Sequence, residues 1–373
     1  MKKLGFGMMR LPILDKEDQT SFDVAQVERM VDRFIEEGFT YFDTAYMYHK
    51  NQSEIMVREA LVKRHPRESF LLADKMPVMF VEKKEDLERF FNEQLEKTGA
   101  GYFDYYLLHS LSASKLKLVE DLDIFGFAME KKREGKIKHV GFSFHDTADV
   151  LEEILTKHPE AEFVQLQINY LDWEHRSVQS GKCYEVARKH GKDIVIMEPV
   201  KGGTLANIPA EAEKLFKEHN ENASPASWAV RYAAGLDGVM MVLSGMSNLE
   251  QMEDNMSYMK DFRPLSEEEI AIIDKAKDII LQARMIPCTA CRYCVEGCPM
   301  SIQIPEIFSL YNKENTPVKE GDKEEKSNAE VYKEVCEGHG KASECVKCKA
   351  CEDICPQHIE ISSLMGKIAW ALE

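Results

Sequence analysis

FTYFDTAYMYH, residues 39–49, is a β-rich apolar run that ends on an aspartate and passes at once into a polar turn carrying two more tyrosines. Seven other runs have the same character: KLGFGM (3–8), SFLLADK (69–75), FDYYLLH (103–109), KHVGFSF (138–144), EFVQLQI (162–168), DIVIME (193–198) and GVMMVLS (238–244). Near-continuous apolar runs of this length suit strands buried on both faces. Between them lie stretches of helical period, such as Val27, Met30, Val31, Phe34 and Ile35, or Leu87, Phe90, Phe91 and Leu95, each laying one apolar stripe against a sheet. Gly38 and Gly135 close helical runs just before strands, where a left-handed residue is expected. Ser224 with Pro225, and Ser266 with Glu269 ahead of a run ending near Ala283, have the spacing of helix starts. Eight such units in roughly 250 residues predict an α/β chain closed into a (β/α)8 TIM barrel rather than an open doubly wound sheet. No Gly-rich dinucleotide fingerprint follows the first run, which argues the same way.

At 373 residues the chain also has room for a second, smaller domain, expected at 285–373 after a barrel at 1–284. A hydrophobic fraction of 44% with 30% charged residues fits a water-soluble protein, and no apolar run approaches the ~18 residues of a membrane span. The N-terminal MKKLGFGMMRLP lacks a signal-peptide core, so the expected location is the cytoplasm, with no membrane partner. A net charge of -17 repels phosphate backbones and makes nucleic acid an unsuitable partner.

Nine of the ten cysteines lie beyond residue 287, which marks a module. Cys288, Cys291, Cys294 and Cys298 precede Pro299, and Cys345, Cys348, Cys351 and Cys355 precede Pro356, so C-x2-C-x2-C-x3-C-P occurs twice and complete. Thiolates at this spacing suit two 4Fe-4S clusters; a zinc pair is the ordinary alternative, but zinc does not require the doubled four-cysteine run. In two-cluster ferredoxins the fourth cysteine of each motif serves the other cluster, which pairs Cys298 with the second triplet and Cys355 with the first. IPEIFSLYN, AEVYKEVC and ISSLMGKIAWAL read as helices, so the module resembles the α-helical ferredoxin type. The segment from Thr316 to Lys333 is charged and poor in aromatics, an exposed connector or a solvated helix. Cys336 and Cys183 fall outside both motifs and read as packed thiols.

Four polar residues stand at the C-terminal ends of successive strands, the end of a barrel where active sites lie: Asp43 and Tyr48 after the second, Lys75 after the third, His109 after the fourth. Singly, each has a plain structural alternative as a loop cap, a loop aromatic, a snorkelling lysine or a hydrogen-bonded core histidine. Together, FDTAYMYH, LADK and YYLLHS in this order resemble the aldo-keto reductase family over about residues 4–280, a likeness strengthened by VGFSF, FVQLQINY, MEPVKGG and SGMSNLEQMEDN. The overall layout is similar to members with an appended 4Fe-4S domain.

The resemblance implies an oxidoreductase that reduces a small-molecule carbonyl, or oxidises an alcohol, with NADP or NAD. It implies Tyr48 as proton donor, Lys75 lowering its pKa, Asp43 orienting Lys75, and His109 aligning the carbonyl. It further implies that Ser143 and Gln165 hold the nicotinamide carboxamide, and that Pro199, Val200, Lys201, Gly202 and Gly203 hold phosphates and adenosine with Ser244, Gly245, Met246, Ser247, Asn248, Gln251 and Asn255. Met197 stands where many relatives place a stacking tyrosine, and Phe144-His145 replaces the usual Asn after Ser143. Gly245 and Gln251 stand where many carry basic residues for a 2′-phosphate, so the choice between NAD and NADP stays open. Tyr46, Met76, Met79 and Phe80 suggest an apolar pocket mouth or simple packing. Hydride carries two electrons and a 4Fe-4S cluster passes one, so FMN is a suitable intermediary and a ferredoxin or flavodoxin a suitable electron carrier. The alternative reading is an electron-transfer or redox-sensing iron-sulfur protein whose barrel is not a carbonyl reductase.

Overall fold

A computed structural model of the chain describes residues 1–15, 18–282, 286–314 and 327–373. The end of the run near Ala283, and most of the connector beginning at Thr316, lie outside the described residues. Two compact units emerge, Met1–Pro199 with Ala229–Leu265 and Val200–Trp228 with Ser266–Glu373. Residues 200–228 and 266–282 thus group with the cysteine-rich segment, a division that sequence periodicity does not carry.

The first unit holds a closed barrel of eight parallel strands in sequential order: β1 Leu4–Gly7, β2 Tyr41–Asp43, β3 Leu71–Met76, β4 Phe103–Leu111, β5 Ile137–Phe144, β6 Phe163–Gln167, β7 Asp193–Met197 and β8 Val239–Ser244. All eight expected runs form strands. One buried cluster, made of Tyr41, Ala73, Tyr105, Leu107, Phe163, Val195, Met241 and Leu243, packs strand against strand. Tyr105 contacts Tyr41 and Phe163 with ring centroids 5.1 and 5.3 Å apart. Such rings contribute about 1.5–3 kcal/mol each on burial. Room for Phe163 comes from Gly141, where an added Cβ would meet the Phe163 carbonyl oxygen at 2.4 Å.

Strand side chains alternate between faces, so the residue two places beyond each member of this cluster faces the same way. Asp43 follows Tyr41, Lys75 follows Ala73, His109 follows Leu107 and Gln165 follows Phe163 at that spacing. Period-two geometry therefore sets the polar residues as the next layer at the carboxyl end.

The outer layer follows the helical stripes. Helix Val24–Glu36 buries Val27, Met30, Val31 and Phe34, with the Phe34 ring 5.5 Å from Phe42. Helix Lys84–Thr98 buries Leu87, Phe90 and Phe91, but its buried face continues through Gln94 and Thr98 rather than Leu95. Gly38 and Gly135 have φ of 78° and 74°, as their position after helices requires. The Ser266 and Glu269 capping box forms, and Ser224 Oγ accepts from Ser227 N at 3.1 Å.

In the second unit, Phe216 stacks on Trp228 at 4.4 Å. Its cysteine-rich part forms helices Ile304–Glu314, Asn328–Val335 and Ile361–Leu372 and, among the described residues, no strand. Ile302, Ile307, Phe308, Tyr332, Met365 and Ile368 make its core, with Cys336 packed at the margin. Among the described residues no helix is long and apolar enough to cross a membrane.

Candidate active site

Lys75 is the centre of the barrel's polar layer. Its Nζ lies 2.5 Å from Asp43 Oδ1, 2.7 Å from the Thr44 carbonyl and 3.4 Å from the Tyr48 hydroxyl. Lys75 and Asp43 are both buried, so neither charge is stable there without the other. Gln165 Nε2 donates to the second Asp43 oxygen at 3.2 Å. The Tyr48 ring sits edge-on to His109, with centroids 6.2 Å apart. All four residues expected from the sequence are thus assembled at one end of the barrel.

Tyr48 lies on a turn that the chain pins firmly. His49 is buried; its Nδ1 donates to the Gln19 carbonyl at 2.8 Å, and its Nε2 accepts from Leu11 N at 3.2 Å. That pattern defines a neutral tautomer, and burial lowers the His49 pKa accordingly.

The electrostatics differ from expectation at one point. The family resemblance implies that Lys75 lowers the Tyr48 pKa, yet burial first, then Asp43, Glu198 and Asp74, hold the phenol well above its ordinary value, with Arg10 pulling the other way. The reason is desolvation: the phenol is buried beside the carboxylates of Asp43, Glu198 and Asp74, and these together outweigh the Lys75 ammonium 3.4 Å away. Tyr48 therefore keeps its proton at neutral pH. Burial, followed by the charges of Lys75, Lys115 and His145, holds His109 well below its usual range, so its imidazole is neutral. Burial raises the Asp43 pKa against the pull of Lys75 and Gln165. One step out of phase, Asp74 is buried behind the strand; burial and the facing Glu54 carboxyl hold it well above the carboxylate range, and burial raises Glu54 too. Gln94 links Glu54 at 2.9 Å to the Lys75 carbonyl at 3.0 Å and so fixes the backbone behind the lysine.

The residues expected to bind a cofactor are placed as follows. Ser143 and Gln165 are register partners on β5 and β6. The Ser143 hydroxyl accepts from Ser110 N at 2.7 Å, which leaves its own proton for an acceptor such as a carboxamide oxygen. Ser244 ends β8 and accepts from Asn255 Nδ2 at 3.1 Å. Asn248 caps helix Leu249–Met259 by accepting from Gln251 N at 2.8 Å, while Gln251 Oε1 accepts from Ser247 N at 2.8 Å. Gly245 and Met246 join Ser244 to this helix start, whose partial positive charge suits a phosphate. An added Cβ on Gly245 would meet Arg10 Cδ at 3.0 Å, so a basic side chain stands beside the loop after all, supplied from just beyond β1. Arg10 was missed although it obeys the same strand-end rule. Pro199 belongs to the first unit, whereas Val200, Lys201, Gly202 and Gly203 belong to the second. There Lys201 Nζ lies 3.2 Å from Gln357 Oε1, and Gly202, at φ 63°, packs on the Thr289 backbone.

The thiols of the tail have surroundings that fit a cluster. Cys298, Cys345, Cys348 and Cys351 line one cavity of about 370 Å³, mouth included, whose walls are Met300, Ile302, Ile304, Ile361 and Met365. Four thiols on an apolar cavity are the donor set a cubane needs, and the set contains the crossed cysteine expected from the sequence. Cys294 is buried, and burial, then the nearby Cys291, Cys288 and Cys355 thiols, raise its pKa. Among the described residues no three His, Cys, Asp or Glu side chains form a single-ion site. Cys183 is a core thiol, pushed up to about 12 by burial.

Comparison with known proteins agrees with this geometry. Residues 3–278 match the aldo/keto reductase family, and residues 287–360 match the 4Fe-4S dicluster domain. A Glycine max protein named "Probable aldo-keto reductase 1" is 25% identical over 308 residues, covering 72% of this chain and 85% of its own length. Among solved structures, the holo form of an aldo-keto reductase from Bacillus halodurans has a TM-score of 0.59 at 25% identity, covering 74% of this chain and 91% of its own. A Klebsiella pneumoniae enzyme solved with NADP and acetate has a TM-score of 0.59 at 19% identity over 73% of this chain and 90% of its own, a likeness of fold. The chain is an oxidoreductase of the aldo/keto reductase family, its barrel followed in sequence by a 4Fe-4S dicluster domain.

Proposed function

We propose that the barrel reduces a carbonyl group at Tyr48, or oxidises the corresponding alcohol, with a nicotinamide cofactor. The observation that carries this reading is the placement of Lys75 Nζ between Asp43, at 2.5 Å, and the Tyr48 hydroxyl, at 3.4 Å. When bound, a reduced nicotinamide supplies hydride, and 4Fe-4S clusters supply single-electron transfer. The chain's own residues do the rest. As negative charge builds on the carbonyl oxygen, Tyr48 gives it the phenolic proton, and the Lys75 ammonium donates to the phenolate left behind. Asp43 keeps Lys75 aimed at the phenol. Neutral His109 presents an N–H to the same oxygen and fixes the substrate's orientation. Ser143 and Gln165 would hold the carboxamide. Ser244 to Asn248, with Gln251 and Asn255, would hold phosphate and adenosine, and Arg10 adds a charge that suits NADP.

In the tail, Cys288, Cys291, Cys294 and Cys355 would hold one 4Fe-4S cluster, and Cys345, Cys348, Cys351 and Cys298 a second. Two such groups fit exchange of electrons with a one-electron carrier of the ferredoxin or flavodoxin kind. FMN is a suitable converter between the two regimes.

The test is anaerobic purification, with assay of iron, sulfide and any released flavin or nicotinamide, followed by turnover on aldehydes, ketones and quinones with NADPH, NADH or a low-potential carrier dye. Nicotinamide-linked reduction by the wild type is expected. A protein replete in cluster that reduces none of these carbonyls would sink the proposal.

A further inference from the structure

Just beyond His109 the barrel carries a second cation that the hydride chemistry does not use. Lys115 lies in the first turn of helix Ala113–Asp121, partly buried, and its Nζ is held 2.6 Å from the Ser110 carbonyl. In a chain of net charge -17, the half-buried Lys97 and the buried Lys131 have carboxylate partners, Glu93 and Glu88. Lys115 forms no ion pair among the described residues. The nearest acid in sequence on the neighbouring loop, Asp146, is turned to the backbone, its oxygens accepting from Ala113 N at 2.8 Å and Thr147 N at 2.7 Å. Burial alone acts on Lys115 and brings it down to about 8, as befits an ammonium without a counter-ion.

The ammonium is also deliberately placed. Ser110 adopts the left-handed conformation at φ 59°, a strained choice for a non-glycine residue. Its N–H is held by Ser143 Oγ at 2.7 Å, and this bend lets its carbonyl receive Lys115. Lys115 and His145 both act on the buried His109, whose Nδ1 has no hydrogen-bond partner among the described residues. Lys75 and Lys115 thus gather with two histidines at one end of the barrel, where Asp43 is committed to Lys75 and Glu198 acts on Tyr48. Lys115 has no carboxylate partner there among the described residues.

We propose that Lys115 recognises a carboxylate on the substrate, so that the carbonyl compounds reduced here are oxo or aldehyde acids. This rests on the reductase reading above. A charge-assisted bond of this kind corresponds to about ten- to a hundredfold in KM.

The experiment compares para-carboxybenzaldehyde with its neutral methyl ester on the wild-type holoenzyme, Lys115→Met and Lys115→Arg. The wild type should prefer the acid by about tenfold or more in kcat/KM. Lys115→Met should collapse that preference through KM, with kcat for the acid little changed, and Lys115→Arg should restore part of it. An unchanged preference, or equal losses on acid and ester, overturns the proposal. So does a weakened NADPH Kd in Lys115→Met, which would assign the ammonium to a cofactor phosphate. If the wild type turns over neither aldehyde, the reductase reading fails by itself. Calorimetry with benzoate then still decides Lys115: binding that Lys115→Met abolishes upholds carboxylate recognition, and no binding to the wild type overturns it.

Discussion

Replacing Tyr48 by Phe removes one oxygen and very little else, which makes it the sharpest probe of the barrel. The ring survives, and with it the edge contact to His109 at 6.2 Å and the Lys75 ammonium 5.0 Å from the ring centroid. The lost contact to Lys75 is 3.4 Å long, beyond the ~2.7–3.2 Å of a strong hydrogen bond, so its share of stability is at most about 1 kcal/mol. For a body of this size that corresponds to a Tm shift of at most about 4 °C. Removing the proton donor should lower kcat about 10²–10⁴-fold, equivalent to ~2.7–5.4 kcal/mol of transition-state stabilisation. A thermal melt and steady-state kinetics on one preparation read both quantities, and a loss confined to kcat with folding intact is the expected outcome. Because burial keeps the phenol protonated, the wild-type rate should also show no alkaline fall at the ~10 of an ordinary tyrosine. A Tyr48→Phe protein retaining a kcat within about threefold of wild type would refute the assignment, since a buried carbonyl oxygen would then be drawing its proton from somewhere else.

Asp43→Asn strands the buried Lys75 ammonium, which should destabilise the fold by about 3–5 kcal/mol and appear as a lowered Tm as well as lost turnover; an unchanged melt contradicts the pairing. For Asp74 the folded pKa is raised above the unfolded value, so its contribution is fully present below about 3.9 and is lost as pH rises through the folded value. Urea midpoints of the wild type should therefore decline from mildly acid toward alkaline pH more steeply than those of Asp74→Asn, and parallel profiles would contradict a proton shared with Glu54. Cys298→Ala should disturb the EPR signal of the cluster on Cys345, Cys348 and Cys351 and spare the other; disturbance of the other cluster alone would reverse the crossed ligation.

Much of this site was legible because a barrel strand repeats every two residues. Once Tyr41, Ala73, Leu107 and Phe163 are read as interior, Asp43, Lys75, His109 and Gln165 must share their face, whatever the loops do. Ser143 and Gln165 come side by side for the same reason, through β5–β6 register. The doubled cysteine motif was legible because the four cysteines of each half are close in sequence. What periodicity could not supply was through-space: that Gln94 and Thr98, not Leu95, complete the buried face of their helix, that residues 200–203 group with the cysteine-rich segment, and that Arg10 lies beside Gly245. The direction of the Tyr48 pKa failed for a physical reason as well, since a sequence shows that a lysine is near but not that the phenol is buried among the carboxylates of Asp43, Glu198 and Asp74.

That burial bears on how the proposed site would work. Burial and the Asp43 carboxylate hold the phenol protonated, so its proton is still in place when charge appears on a substrate oxygen, as the proposed reduction requires. On the proposed reduction the Lys75–Asp43 pair would stabilise the phenolate as it forms, which is where differential stabilisation is needed. Lys115, lacking any carboxylate among the described residues, is the opposite case, and on the proposal above it receives the substrate's carboxylate. On that reading the two lysines divide the labour, Lys75 serving the proton transfer and Lys115 the recognition, and the division follows from which of them has an aspartate beside it.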